Sequence, residues 1–211
     1  MFLFILQGLI WTVVITVGGF AFGAVVGVAV AGARTSKSVL VRIVGRVWVD
    51  VIRSVPPLVW LFVVFFGLAE LGFRMTAFQA ALVTFSLIAS AYLGEIYRGG
   101  LASLGRGQIE AAQSLGLSGA DVLTRIISPQ VLRTVSPSMV TYGIGLMKDS
   151  ALASTIGVVE MTFRANQVTQ STGQGLTAFA IVGAIYLGLS IPLGLWARHV
   201  DQRIREKYVV A

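Results

Sequence analysis

The sequence contains no cysteine and a single histidine, His199. Thiol catalysis, disulfide cross-links and any zinc site needing several Cys or His ligands are thereby excluded. Charge is scarce as well. Asp, Glu, Lys and Arg make up 12% of the 211 residues, about half the share usual in a soluble domain. No Gly-x-x-x-x-Gly-Lys-Ser/Thr phosphate loop occurs, so nucleotide hydrolysis on such a loop belongs to another polypeptide. His199 opens the basic C-terminal tail, out of reach of a serine inside an apolar segment, and Asp149 is the one acid expected deep in such a segment. Neither serine–histidine nor paired-carboxylate hydrolysis within a membrane is expected from that inventory.

What the chain has in abundance is apolar surface: 56% of its residues are hydrophobic and its mean hydropathy is +0.86. The first charge is Arg34. Residues 1–33 therefore exceed the roughly 7–15-residue apolar core of a secretory signal, no basic segment precedes them, and they are expected to stay as a membrane helix. A bilayer core of about 30 Å needs roughly 20 apolar residues of helix. Stretches of that kind lie near 3–32, 47–68, 77–97, 137–157 and 176–197, which predicts an all-α membrane protein of five transmembrane helices. The second stretch is interrupted by Pro56-Pro57 and the fourth carries Lys148-Asp149. With no repeat and no soluble second domain, residues 1–211 read as one membrane domain.

Lysine and arginine set the orientation. Arg34, Lys37, Arg42 and Arg46, then Arg98, Arg106, Arg125 and Arg133, then Arg198, Arg203, Arg205 and Lys207 all fall on one side of the predicted topology. Only Arg74 and Arg164 fall on the other, while Arg53 and Lys148 sit within or beside spans. The expectation is an N-terminus outside and a C-terminus in the cytoplasm. The net charge of +7 is then mostly topological, with anionic lipid contact in addition, and no nucleic-acid partner is expected.

Gly19, Gly23 and Gly27 recur at four-residue spacing in the first helix and predict a face along which a neighbouring backbone approaches closely. The connection 99–135 is too long for a simple turn. Residues 107–115 bring Ile109, Ala112 and Leu115 to adjoining helical faces, Gly116 suits a left-handed C-cap, and Ser118 with Asp121 starts a second short helix. That helix is expected to stop near Ile127, ahead of Pro129. The five helices alone suit a channel or a secondary transporter equally well; this connection is the feature that neither explains.

Within that connection Glu110-Ala111-Ala112, three residues, Gly116, nine residues, Ile126 and then Pro129 resemble the EAA loop of ABC importer permeases. Ser128 stands where that family usually has leucine. Residues 91–101, Gly107-Gln108, Leu115-Gly116-Leu117-Ser118 and the run Lys148-Asp149-Ser150-Ala151-Leu152 are similar to the polar-amino-acid branch of the family, as is the Arg53-Ser54-Val55-Pro56 start of the second helix. The resemblance covers nearly the whole chain. It implies the type I ABC importer permease architecture, with a cytoplasmic coupling helix between helices 3 and 4. Two permeases would form the pathway, either two copies or this chain with a related one. A cytoplasmic ABC ATPase dimer would hold the ATP and Mg, leaving this chain without cofactor, metal or catalytic residue, and a periplasmic or extracellular substrate-binding protein would deliver a polar or charged amino acid. Glu110, Ala111, Ala112, Gly116, Ile126 and Pro129 would then couple the membrane helices to the ATPase.

Charged groups near the bilayer supply the remaining candidates, because each costs at least about 2.5–3.5 kcal/mol at its centre unless it faces protein or a watery path. Lys148, Asp149 and Arg53 are candidates for the pathway or its gate, with a purely structural contact as the competing reading. Glu160 and Arg164 are four apart. They form either an exposed i,i+4 pair or a contact with the substrate or the binding protein. Asp50 with Arg53, and Glu95 with Arg98, are spaced for pairing at the cytoplasmic interface.

Overall fold

The computed structural model describes residues 1–208, and every described element is helical. In chain order these are α1 (Phe2–Leu6), α2 (Leu9–Thr35), α3 (Val39–Ser54), α4 (Pro57–Phe62), a π-helical turn (Val63–Gly67) and α5 (Leu68–Glu70). Then follow α6 (Ala77–Ala102), α7 (Arg106–Ser114), α8 (Gly119–Asp121), a second π-helical turn (Val122–Ile127) and α9 (Ser128–Asp149). A 3-10 turn (Ser150–Ile156), α10 (Met161–Thr172) and α11 (Gly175–Tyr208) complete the chain. Among the described residues, Phe2–Thr35, Ala77–Ala102 and Gly175–Gln202 are long and apolar enough to cross a membrane.

The stretch 47–68, expected as one span, is broken. Val39–Ser54 and Pro57–Glu70 meet at an angle of 101°. Pro56 has no N–H, so the carbonyl of Ile52, four residues back, loses its helical donor. The indole Nε1 of Trp60 donates to that carbonyl at 3.1 Å, which satisfies a backbone group that would otherwise stand bare in an apolar setting. The bend is thus written in two residues, a proline that frees the carbonyl and a tryptophan that takes it up.

The centre of the molecule is the contact of α2 with α6. Water does not drive this packing inside a bilayer; close van der Waals approach does, and it needs small residues. A Cβ at Gly23 would collide with the Cβ of Ala89 and lie 3.0 Å from both the carbonyl carbon of Ala89 and the carbonyl oxygen of Ser86. Ile15, Phe85, Ala89 and Leu93 are fully buried around this seam. The expected small-residue face is therefore present, and its occupant is a helix of the same chain.

The C-terminal end of α2 is clasped to α6 by charge. Glu95 accepts from Arg34 Nε at 2.7 Å and from Arg98 Nη2 at 2.9 Å. The Glu95–Arg98 pairing expected from spacing is present, and Arg34, 61 residues away, joins it. Arg34 and Glu95 retain only 14% and 16% side-chain exposure. Removing one partner from such a pair leaves mostly buried charge uncompensated. Glu95→Gln should therefore lower the stability of the purified protein by roughly 1–3 kcal/mol, read as a fall in its detergent-unfolding midpoint; an unchanged midpoint would mean the clasp is ornamental.

The helix expected to end near Ile127 continues instead. From Gly119 the chain runs through the π-helical turn into α9, with Pro129 in its first turn. The wider winding of the π-helical turn shifts the hydrogen-bond register just ahead of the donor that proline lacks, so Pro129 is tolerated there. Pro137 lies inside α9 and orphans the carbonyl of Arg133, which Ser136 Oγ takes up at 2.9 Å. The segment expected as 137–157 is consequently a helix that begins earlier and tightens to 3-10 winding after Asp149.

Candidate functional site: a solvent-facing loop and a polar face in the bundle

The loop between α6 and α9 is built as the sequence suggests. Leu115 N–H bonds to Ala111 O at 3.1 Å and Leu117 N–H to Ala112 O at 3.2 Å, closing α7 with Gly116 at φ +73°. That left-handed backbone favours glycine. No atom lies within 4 Å of a Cβ placed on Gly116, so conformation is the requirement there and space is not. Ser118 Oγ accepts from Asp121 N–H at 3.1 Å and donates to Asp121 Oδ2 at 2.6 Å. Arg125 Nε pairs with the other carboxylate oxygen at 3.0 Å.

Glu110 and Ala111 are exposed, Ala112 is buried, and Ile126 and Pro129 are half-buried. The small side chain of Ala112 lets α7 lie against the π-helical turn, whose Val122 is also buried. Leu115 is 80% exposed, and Leu117 and Leu123 are exposed too. The loop therefore presents an acidic residue beside uncovered leucines on a compact helical frame.

A second set of residues lies on the flank of α9. The guanidinium of Arg53 sits 4.8 Å over the ring of Tyr92, which stacks on Tyr142 at 5.1 Å with an interplanar angle of 18°. Arg53 turns to this ring rather than to Asp50. The Tyr142 hydroxyl is buried without a hydrogen-bond partner. A cleft of about 490 Å³ lined by Tyr92, Thr141, Tyr142, Arg198 and neighbours opens beside the rings. Asp149 lies two helical turns beyond Tyr142 on the same side of α9, and Asp149 and Lys148 are both exposed at its end. The structure thus joins Arg53 to α9 through two tyrosines that sequence reasoning passed over. Their only advance signal was the sevenfold spacing of Tyr142 and Asp149.

Glu160 requires correction. It is fully buried and caps α10, accepting from Phe163 N–H at 2.7 Å, so it offers no surface to a binding protein. Nor does it pair with Arg164, whose Nη1 donates to Gln7 Oε1 at 3.1 Å and whose guanidinium lies 4.8 Å over the ring of Phe4. A carboxylate at a helix N-terminus accepts backbone N–H groups in preference to a distant cation.

The family of binding-protein-dependent transport system inner membrane components matches residues 19–206. The chain is 31% identical over 203 residues to a probable glutamine ABC transporter permease protein of Bacillus subtilis, covering 96% of this chain and 94% of that one. It is 32% identical over 203 residues to the arginine transport system permease protein of the same organism, covering 96% and 93%. The fold superposes on a chain in a crystal structure of an amino acid ABC transporter with histidines at a TM-score of 0.86 and 29% identity, covering 95% and 94%. The family match runs from α2 into α11 and includes both the EAA-like loop and the polar flank of α9. The chain belongs to the family of inner-membrane components of binding-protein-dependent transport systems, as a permease subunit of an ABC importer.

Proposed function

We propose that this permease subunit passes polar or charged amino acids across the cytoplasmic membrane, forming half of a pathway completed by a second copy or a related permease. The membrane domain crosses five times, with the N-terminus outside and the C-terminus in the cytoplasm. An ATPase dimer carrying ATP and Mg docks on the loop 99–135 through Glu110, Ala111, Ala112 and Gly116, with Ile126 and Pro129 fixing the second arm to α9. A substrate-binding protein delivers the amino acid at the opposite face, where Arg164 is a candidate contact. Relatives named for glutamine and arginine transport support the substrate class.

The observation that carries this reading is the glycine-closed helix Arg106–Ser114, with Glu110 exposed on it and Leu115 80% exposed beside it. An apolar side chain left in water at the rim of a polar helix suits a docking surface. Gentle purification from the native membrane followed by mass spectrometry is the test. Co-purification of an ATPase subunit supports the reading; a chain that comes alone and transports without ATP overturns it.

For the pathway itself, Arg53, Lys148 and Asp149 are the charged lining, with the Tyr92–Tyr142 stack between them. An amino acid carries one charge of each sign, and charged partners of opposite sign recognise both. Asp149→Asn and Arg53→Ala should each cut uptake by about tenfold or more, the equivalent of 1.4 kcal/mol, while ATP hydrolysis without substrate stays near its original rate. Uptake in proteoliposomes, measured beside that hydrolysis, decides it; loss of both together would assign these residues to assembly.

A further inference from the structure

At the end of the bundle opposite the loop, four segments meet around a knot of oxygen atoms. Glu160 and the hydroxyls of Thr12 on α2, Ser150 on the 3-10 turn and Tyr186 on α11 converge there with that of Thr162. Thr12, Ser150 and Glu160 have no solvent exposure. Glu160 Oε1 is taken by Phe163 N–H, yet its Oε2 and the Tyr186 hydroxyl are both buried with no aligned partner. Thr12 and Ser150 have already given their protons to backbone carbonyls, of Gly8 at 3.5 Å and Met147 at 2.7 Å. The neutral Tyr186 and Thr162 hydroxyls are the remaining donors within reach of the carboxyl, and neither brings a charge. A buried carboxylate without a counter-charge is costly, and one added proton removes that cost.

We infer that Glu160 is a proton-binding site, and that its carboxylic acid form holds α2, the 3-10 turn, α10 and α11 together at this end of the bundle. The bond formed is O–H on Oε2, with the proton taken from water and offered to a neighbouring hydroxyl oxygen. Deprotonation strands an anion where no water reaches, so the ionised form favours parting of the segments and entry of solvent. The joint is tight enough to feel this: a Cβ on Gly8 would lie 2.6 Å from the backbone nitrogen of Met161.

The facing groups leave the carboxyl without a counter-charge. From α1 and α2 come Gln7 and Thr12, both neutral. From α10 comes Arg164, turned away to Gln7 and Phe4. From α11 comes Tyr186. Lys148 and Asp149, which precede the 3-10 turn, are exposed at the end of α9. Burial pushes the Glu160 carboxyl up to about 7, against the pull of the Thr162 and Phe163 N–H groups and of the Thr162 and Tyr186 hydroxyls. In the opened, hydrated joint it returns towards its ordinary value of 4.5. The closed arrangement is therefore fully favoured in acid and loses ground as pH climbs from the ordinary value through about 7, a change on the order of 10²-fold in the ratio of open to closed.

Infrared difference spectroscopy on the permease, purified with the subunits that accompany it, tests this without measuring transport. The expected result is a carboxylic-acid carbonyl band that fades as pH rises through about 7 and is missing from Glu160→Gln. Amide protection over residues 161–172, corrected for the intrinsic base catalysis of exchange, should fall across the same range in the unaltered protein and stay level in the variant. A band that persists in Glu160→Gln, or corrected protection that ignores pH in the unaltered protein, overturns the inference. Should Glu160→Gln fail to assemble, Tyr186→Phe keeps the carboxyl and removes its hydroxyl neighbour, so the midpoint must move; an unmoved midpoint also overturns it. Because no substrate enters the measurement, failure here leaves the transport reading intact.

Discussion

Gly116→Asp should yield a protein that inserts and folds yet no longer links substrate to ATP hydrolysis. The internal cost is small. Gly116 has φ +73°, and aspartate tolerates the left-handed region better than most residues. No atom of this chain lies within 4 Å of the new Cβ, so the added carboxylate points outward, beside Glu110 and the exposed Leu115 and Leu117. A partner that accepts one acid and a patch of leucines then meets a second acid without its own counter-charge. The loss of coupling energy should be at least about 1.4–3 kcal/mol, or tenfold to a hundredfold in substrate-stimulated hydrolysis. Stimulated and unstimulated hydrolysis in nanodiscs separate the outcomes. Normal uptake by the variant would remove the loop from the coupling role.

Gly23→Ala should produce a large change in stability for a small change in composition. Its methyl group would overlap the Cβ of Ala89 and crowd backbone atoms of Ala89 and Ser86 at 3.0 Å. Backbone cannot rotate away as a side chain can, so α2 and α6 must separate. Overpacking of this kind costs about 1–3 kcal/mol. Ala89→Gly removes the nearest obstacle and leaves the two backbone contacts, so the double variant should recover part of the loss and not all of it. A thermodynamic cycle over the two positions measures that recovery. Additive losses would show that the seam yields elsewhere.

The parts of the fold legible in advance were those fixed by neighbours in sequence. The glycine-closed bend at Gly116, the Ser118–Asp121 cap and the Glu95–Arg98 pair each need residues within a turn or two of one another, and each is present. The 101° break was foreshadowed by Pro56-Pro57, but its size depends on Trp60 reaching back to Ile52, a side-chain choice that hydropathy does not see. Pro129 misled because a proline breaks a helix only where its missing N–H is needed, and the π-helical turn before it moves that requirement elsewhere. Glu160 was unreadable for a different reason. Its burial comes from Thr12 and Tyr186, which are remote in sequence, and nothing in the spacing of Glu160 and Arg164 announces them. The tyrosine ladder from Arg53 to Asp149 joins three helices and shares that obscurity.

The glycine seam between α2 and α6 also has a mechanical meaning. Where helices meet through layers of side chains, rotamer changes let one slide on the other; where backbone rests on backbone, no such slack exists. The two helices should turn as one beam. At about 1.5 Å per residue, the 26 residues of α6 make a lever of roughly 39 Å, so each degree of tilt displaces its far tip by about 0.7 Å. A tilt of a few degrees at one end of α6 would thereby reach its far end as a movement of a few ångströms, enough to admit or exclude a water molecule.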